Sequence, residues 1–159
     1  MKTISFSLKV NSIDEAIEKV KLRKEWVESK SRELSLKVAD LGARVARFNF
    51  SNAIYEGKNK MVDVSVVEKL HGYEIHANGE AVCFIEFGTG VGATSPKGAV
   101  WGFTPGSWSV DHERQFTENG FWHYGGKVIE GTPANNCMYD AGKEMEKQLL
   151  KIAREVFQK

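Results

Sequence analysis

Cysteine is scarce in this chain: Cys83 and Cys137 are the only two in 159 residues. They form no Cys-x-x-Cys pair and are too few for a disulfide framework, which predicts two buried thiols in a reducing compartment. No apolar run approaches the ~18 residues needed to cross a bilayer. Met1 to Val10 has neither the apolar centre nor the cleavage pattern of a signal peptide. No membrane partner is therefore expected. Charge of one sign is also missing: the formal net charge is +1. A protein whose whole surface grips nucleic acid is usually strongly basic, so composition argues against that class and leaves room only for a local basic face. Nucleotide motifs are absent as well. Gly88, Gly90 and Gly92 alternate, whereas a dinucleotide fingerprint needs Gly-x-Gly-x-x-Gly opening a helix, and no Gly-Lys-Ser/Thr follows for a phosphate loop.

What is present suits one soluble domain over residues 1–159, long enough for a real core. Residues 2–10 alternate, with Ile4, Phe6, Leu8 and Val10 on one side, and predict a half-buried strand. Ser12 with Glu15 reads as a capping box opening a helix. Apolar residues then recur every seven, at Ile13, Val20, Val27, Leu34, Leu41 and Phe48. Lys24 and Ser31 interrupt the companion positions Ile17, Val38 and Val45. The pattern predicts one long helix, or two with a bend, packed on a sheet or a neighbouring subunit. From Lys19 to Arg47 this helix is basic: Lys19, Lys21, Arg23, Lys24, Lys30, Arg32, Lys37, Arg44 and Arg47 face only Glu25, Glu28, Glu33 and Asp40. Such a run is a solvated face or a surface turned to DNA or an acidic partner.

Val62, Val64 and Val66 form a strand, His71-Gly72 a turn, and Tyr73, Ile75 and Ala77 a second strand. Asn78-Gly79 is a hairpin signal. Residues 81–87 read as a third strand or a short helix, because their apolar residues lie too close together for periodicity to decide. At the far end, Asn135 or Asn136 caps a last helix. Met138, Gly142, Met145, Leu149, Ile152 and Val156 recur along it, and Met145, Leu149 and Ile152 are expected to be buried against the sheet. The fold class that results is α+β: an antiparallel β-meander packed by a long N-terminal helix, or two helices, and a C-terminal helix.

Between these parts, residues 91–132 hold eight of the fifteen glycines and three of the four tryptophans, Trp101, Trp108 and Trp122. Disorder disfavours aromatics and a compact domain disfavours so long a loop, so the stretch reads as an extended arm whose aromatics bury against something, with residues 93–124 mobile or extended in the free protein. Residues 108–110 and 121–124 read as pairing strands with Val128-Ile129 beside them. Just before the arm, Cys83 to Phe87 is an apolar run ending in Glu86, Phe87 and Gly88, where glycine takes positive φ cheaply and the chain turns sharply. Glu86 is expected to cap backbone N–H groups of that turn or to pair with a basic residue of a neighbouring subunit.

Chemistry is thinly represented. His71 and His76 fall on opposite sides of a strand. Asp111, His112 and Glu113 are consecutive and cannot all point at one ion in a regular strand. No metal and no cofactor is expected. A thiol or metal hydrolase built on Cys83, Cys137, His112 or His123 is the rival enzyme class, and a DNA-binding module on the basic helix a second rival.

Ile85-Glu86-Phe87-Gly88-Thr89-Gly90 resembles the Val/Ile-Glu-Phe-Gly-Thr motif of the head–tail connector and tail-completion proteins of tailed bacteriophages. Gly106-Ser107-Trp108-Ser109, then 119–124, then Gly131-Thr132-Pro133-Ala134 and Met138-Tyr139-Asp140-Ala141 follow in that family's order, over about residues 79–157. Phe121-Trp122 and Asn135-Asn136-Cys137 depart from its pattern. The resemblance implies a non-enzymatic virion protein, made in the host bacterial cytoplasm. It would assemble as a six-fold ring in the neck, between portal-side connector proteins and tail-tube proteins, with a passing contact to DNA. It also implies that Glu86, Phe87, Gly88, Thr89, Gly90, Trp101, Trp108, Trp122 and Tyr124 serve interaction between subunits.

Overall fold

The first helix, α1, runs unbroken from Val10 to Asn52. The computed structural model describes residues 4, 10–53, 55, 58–88, 115–116, 122–124, 127–129 and 134–158. Alpha1 contains no proline and is rich in lysine, glutamate, leucine and alanine, all strong helix formers. Ion pairs between successive turns support it: Lys30 and Lys37 reach Glu33 at 2.8 and 2.9 Å. These two lysines hold the Glu33 carboxyl down at about 2. One unbroken element thus replaces the alternative of two helices. Its start differs from expectation. Val10 is helical and Ser12 lies in the first turn rather than at the cap; Ile4 sits in no regular element, and the rest of the expected strand 2–10 lies outside the described residues. At the other end, Ser51 Oγ and Asn52 Nδ2 both donate to the Phe48 carbonyl at 2.8 Å.

A short 3-10 turn, Lys58–Met61, leads into β1 (Asp63–Lys69) and β2 (Gly72–Asn78). The two pair antiparallel from Asp63↔Asn78 to Lys69↔Gly72, around the expected turn at His71-Gly72. Val64↔Ala77 and Val66↔Ile75 are cross-strand neighbours whose side chains meet the core. The hairpin signal at Asn78-Gly79 does not open a third strand. The chain turns there and enters α2, Val82–Phe87. Burial fits the choice: Ala81 and Ile85 are buried while Cys83 between them is exposed, a spacing of four that a helix gives, whereas a strand would put all three on one face. The sheet beside α1 is therefore two-stranded. A second antiparallel sheet orders β3 (Gln115–Phe116), β4 (Trp122–Tyr124) and β5 (Lys127–Ile129), so 122–124 do pair with 127–129, while Phe121 and residues 108–110 lie outside the described residues.

The last helix, α3 (Cys137–Phe157), lies antiparallel along α1. Asn49 Nδ2 donates to the Cys137 carbonyl at one end, and Trp26 meets Phe157 edge-on at the other, ring centroids 5.7 Å apart. The interface is built from small residues. Ala39, Ala43 and Ala46 of α1 are buried, with Phe50 and Ala53 beyond them. A Cβ on Gly42 would sit 2.2 Å from Met145 Sδ and 2.5 Å from Ile75 Cδ1, so a side chain there would push the tips of both aside where α3 and β2 close on α1. The result is an α+β fold in which the long helix, the two-stranded sheet and the C-terminal helix pack together.

This packing corrects two expectations about burial. The seven-residue stripe is not the core stripe: Ile13, Val20, Val27 and Phe48 are exposed. On α3, Leu149 is 42% exposed, and the buried positions are Cys137, Ala141 and Val156, with Met145 and Ile152 half-buried. Helices that approach closely select small residues at the contact, and α3 packs mainly on α1 rather than on the sheet. Leu149→Ala should accordingly change the unfolding free energy by less than ~0.5 kcal/mol, as at a surface site. Denaturant titration checks this; a loss of ~2 kcal/mol or more, as at a core leucine, would mean that α3 presents its other side to α1.

Candidate functional site

The motif Ile85-Glu86-Phe87-Gly88 forms the last turn of α2 and its exit. Glu86 is only 4% exposed, the one buried charged side chain among the described residues. Its Oε2 accepts the Met138 N–H at 2.8 Å and its Oε1 the Tyr139 N–H at 3.0 Å. Those amides belong to the first turn of α3, where backbone donors have no partner inside the helix. Asn136 occupies the cap position but in left-handed conformation (φ 53°, ψ 39°), and its side chain makes no cap bond. Its Nδ2 donates instead to the Ala134 carbonyl at 3.2 Å. The capping role expected of Asn135 or Asn136 therefore passes to a carboxylate some fifty residues earlier. A negative charge at the positive end of a helix is also favourable electrostatically.

The backbone completes the arrangement. Asn135 N–H donates to the Ile85 carbonyl at 2.9 Å and Asn136 N–H to the Glu86 carbonyl at 3.1 Å. These acceptors lie at the C-terminal end of α2, where carbonyls are otherwise orphaned. Gly88, buried, ends α2 at φ 76°, ψ −179°, a region in which essentially only glycine is found. The positive φ expected at this glycine is present. Thus Gly88 and Ala134, the two ends of the segment 89–133, are held near each other by hydrogen bonds that join Ile85 and Glu86 to Asn135, Asn136, Met138 and Tyr139. Of the two roles expected for Glu86, capping is the one realised, on α3 rather than on the glycine turn.

Burial pushes the Glu86 carboxyl above its ordinary value; the Met138 and Tyr139 N–H groups pull the other way, and nearby Asp140 adds to the rise. Burial and Glu86 likewise push Cys137 up to about 12 and raise Cys83. Cys137 is buried as expected and Cys83 is exposed, but neither thiol is activated as a nucleophile needs to be. His76 is engaged with Glu74 at 2.8 Å, and among the described residues no three His, Cys, Asp or Glu side chains are grouped to hold a metal ion.

The basic character of α1 is largely internal to the protein. Lys24, Lys30 and Lys37 pair with acids of the same helix, Arg32 with Glu68 of β1, and Arg47 Nε donates to the Val64 carbonyl at 2.8 Å. A groove of about 800 Å³ between α1 and α3 mixes Lys37, Arg44, Arg47 and Lys151 with Asp40, Glu144 and Glu155. That is not the single-sign surface that phosphate backbones select.

Of the expected interaction residues, Glu86, Phe87 and Gly88 meet at this stem. Trp122 and Tyr124 belong to β4, paired with Ile129 and Lys127 of β5. Thr89, Gly90, Trp101 and Trp108 lie outside the described residues, as does most of the arm 91–132. Sequence reasoning missed the amides of Met138 and Tyr139 and the carbonyls of Ile85 and Glu86. The signal was there in pieces: an apolar run ending in a carboxylate, and a helix start without an acid at its third position.

No family model, curated protein or solved structure matches the chain. No helix among the described residues is long and apolar enough to cross a membrane.

Proposed function

We propose that the protein is a non-enzymatic structural component of a tailed phage or prophage, one subunit of a ring in the neck that joins head to tail. The observation that carries this reading is the stem. Ile85 to Gly88, the motif on which the resemblance to tail-completion proteins rests, is devoted to holding together the two ends of the segment 89–133. A body that invests a buried carboxylate and a glycine-only turn in launching one long segment uses that segment. Its tryptophans suit anchoring in a neighbour's pocket, where such residues dominate interface energies. Head-to-tail contacts of this kind close into rings, here with six-fold symmetry, between portal-side connector proteins and tail-tube proteins. The location is the virion neck.

The test is assembly. Particles made without this chain should accumulate as filled heads beside separate tails, and supplying it should join them. Trp101→Ala with Trp108→Ala should leave the protein folded, by circular dichroism, yet unable to join particles. A folded double variant that still joins them refutes the role of the segment; heads and tails that join without the chain refute the function.

A further inference from the structure

The dipeptide that turns the chain out of β2 carries a chemistry of its own. Asn78 is the last residue of β2 and its partner Asp63 is the end of the ladder. Asn78, Gly79 and Glu80 are all exposed. Gly79 stands at φ 152°, where a side chain would be strained. Its carbonyl accepts the Val82 N–H at 3.3 Å. Among the described residues its own N–H has no hydrogen-bond partner, and neither has the Asn78 side chain. A side-chain amide carbon is thus tethered one residue before a backbone nitrogen that is unbonded, unshielded by a side chain and open to water. We infer that Asn78 is a site of self-modification, which deamidates through a cyclic imide to isoaspartate and aspartate and so loosens the start of α2.

The reaction needs only hydroxide and water. Only the terminal pair of the ladder has to open for the two groups to meet, and strand ends open most readily. The Gly79 nitrogen gives its proton to hydroxide and attacks Asn78 Cγ, a step whose rate comes from the tether. The new N–Cγ bond closes a five-membered imide, and the side-chain nitrogen leaves as ammonia. Water then opens the ring. Attack at the Asn78 backbone carbonyl breaks its bond to the Gly79 nitrogen and leaves the chain running through Cγ, which is isoaspartate; attack at Cγ restores the chain as aspartate. One ammonia is lost for one water gained. Both products place a carboxylate opposite Asp63 and two residues before Glu80. Like charges directly opposite weaken a strand pair. Isoaspartate also adds a carbon to the backbone just before Gly79. That glycine already lies against β1's approach: a Cβ on it would sit 3.1 Å from the Met61 carbonyl oxygen and 3.4 Å from Val62 Cα. The added length is therefore taken up on the other side, where the Gly79 carbonyl holds the Val82 N–H at the start of α2. None of this depends on the neck role.

Ageing the full chain in warm, mildly alkaline buffer, then digesting it with trypsin for mass spectrometry, tests this. Asn78 is the only asparagine of the tryptic peptide 70–97; the other Asn-Gly pair, Asn119-Gly120, lies outside the described residues and falls on the separate peptide 115–127. Peptide 70–97 should gain the mass of one amide-to-acid exchange, in proportion to hydroxide, with isoaspartate identified by fragmentation. Asn78→Gln should slow that gain by about a hundred-fold, because one more methylene misplaces the reacting carbon. Hydrogen exchange of the Val82 amide should be faster in the aged protein than in the fresh one, while that of Glu74, in the middle of β2, stays the same. A peptide 70–97 that stays unchanged in the folded chain, over the time in which the same peptide free in solution converts, overturns the inference. So does conversion that leaves Val82 exchange as it was.

Discussion

Replacing Glu86 by alanine should lower the unfolding free energy by about 3 kcal/mol. The substitution leaves the Met138 and Tyr139 N–H groups without their acceptor in a buried setting, and each such orphan costs ~1–3 kcal/mol. It also removes a favourable charge from the start of α3. In a domain of this length the midpoint of thermal unfolding should fall by roughly 6–12 °C. Glu86→Gln keeps the shape and one acceptor oxygen, but its NH2 group must confront one of the two N–H donors, so its cost should be smaller and still measurable. An alanine variant within ~0.5 kcal/mol of wild type, the range of a surface site, would show that water replaces the carboxylate without loss.

The same residue gives a pH dependence with a definite sign. Its carboxyl lies above the ordinary value in the folded protein because of burial; in the unfolded chain it returns to about 4.3. Between those two values the folded state holds more protons, so the proton-linked part of the Glu86 contribution rises as pH falls through that window and is lost as pH rises through the folded value. Glu86→Gln lacks this titration. The advantage of wild type over Glu86→Gln, measured by denaturant unfolding from neutral pH down toward 4.5, should therefore grow on acidification. An advantage that shrinks would mean that the two N–H groups outweigh burial and hold the carboxyl below its ordinary value.

Two phenylalanines two residues apart should behave in opposite ways. Phe50, 1% exposed, sits in the last turn of α1 within the cluster of Ala46, Ala53, Val64, Ala81, Ile85 and Cys137. Its ring is the largest fully buried side chain among the described residues, and Phe50→Ala should cost ~3–5 kcal/mol, the loss of transfer energy plus the cavity left behind. Phe48 is 68% exposed, and Phe48→Ala should cost less than ~0.5 kcal/mol. Equal losses at the two positions in chemical denaturation would mean that the face of α1 has been assigned wrongly.

That pair also shows how much was legible in the sequence. The existence of α1, of the β1–β2 hairpin and of α3 could be read from periodicity and turn residues, because those signals are local. The buried face could not, because the seven-residue repeat weighs large side chains. Phe48 belongs to the repeat and Phe50 does not, while the true contact is written in Ala39, Ala43, Ala46 and Gly42, residues that carry little hydrophobic signal. Asn78-Gly79 misled for a related reason: the dipeptide specifies a turn, and only tertiary burial of Ala81 and Ile85 decides whether a strand or a helix comes next. At the candidate site, Glu86 stood out as a carboxylate closing an apolar run, and Gly88 as a turn. Its partners could not be read, since a bond between Glu86 and Met138 joins residues far apart along the chain and leaves no trace in either neighbourhood.

The stitched ends of the segment 89–133 have a mechanical meaning. A pull on that segment arrives at Gly88 and Ala134 together, and Asn135 and Asn136 tie one attachment to the other through the carbonyls of Ile85 and Glu86. Tension entering from either side is thus divided between α2 and α3 before it can peel one of them away. Through α3 it spreads along α1, a rod of about 65 Å at 1.5 Å per residue. Cutting the stitches, as Glu86→Ala would begin to do, turns a shared load into a zipper that opens one bond at a time.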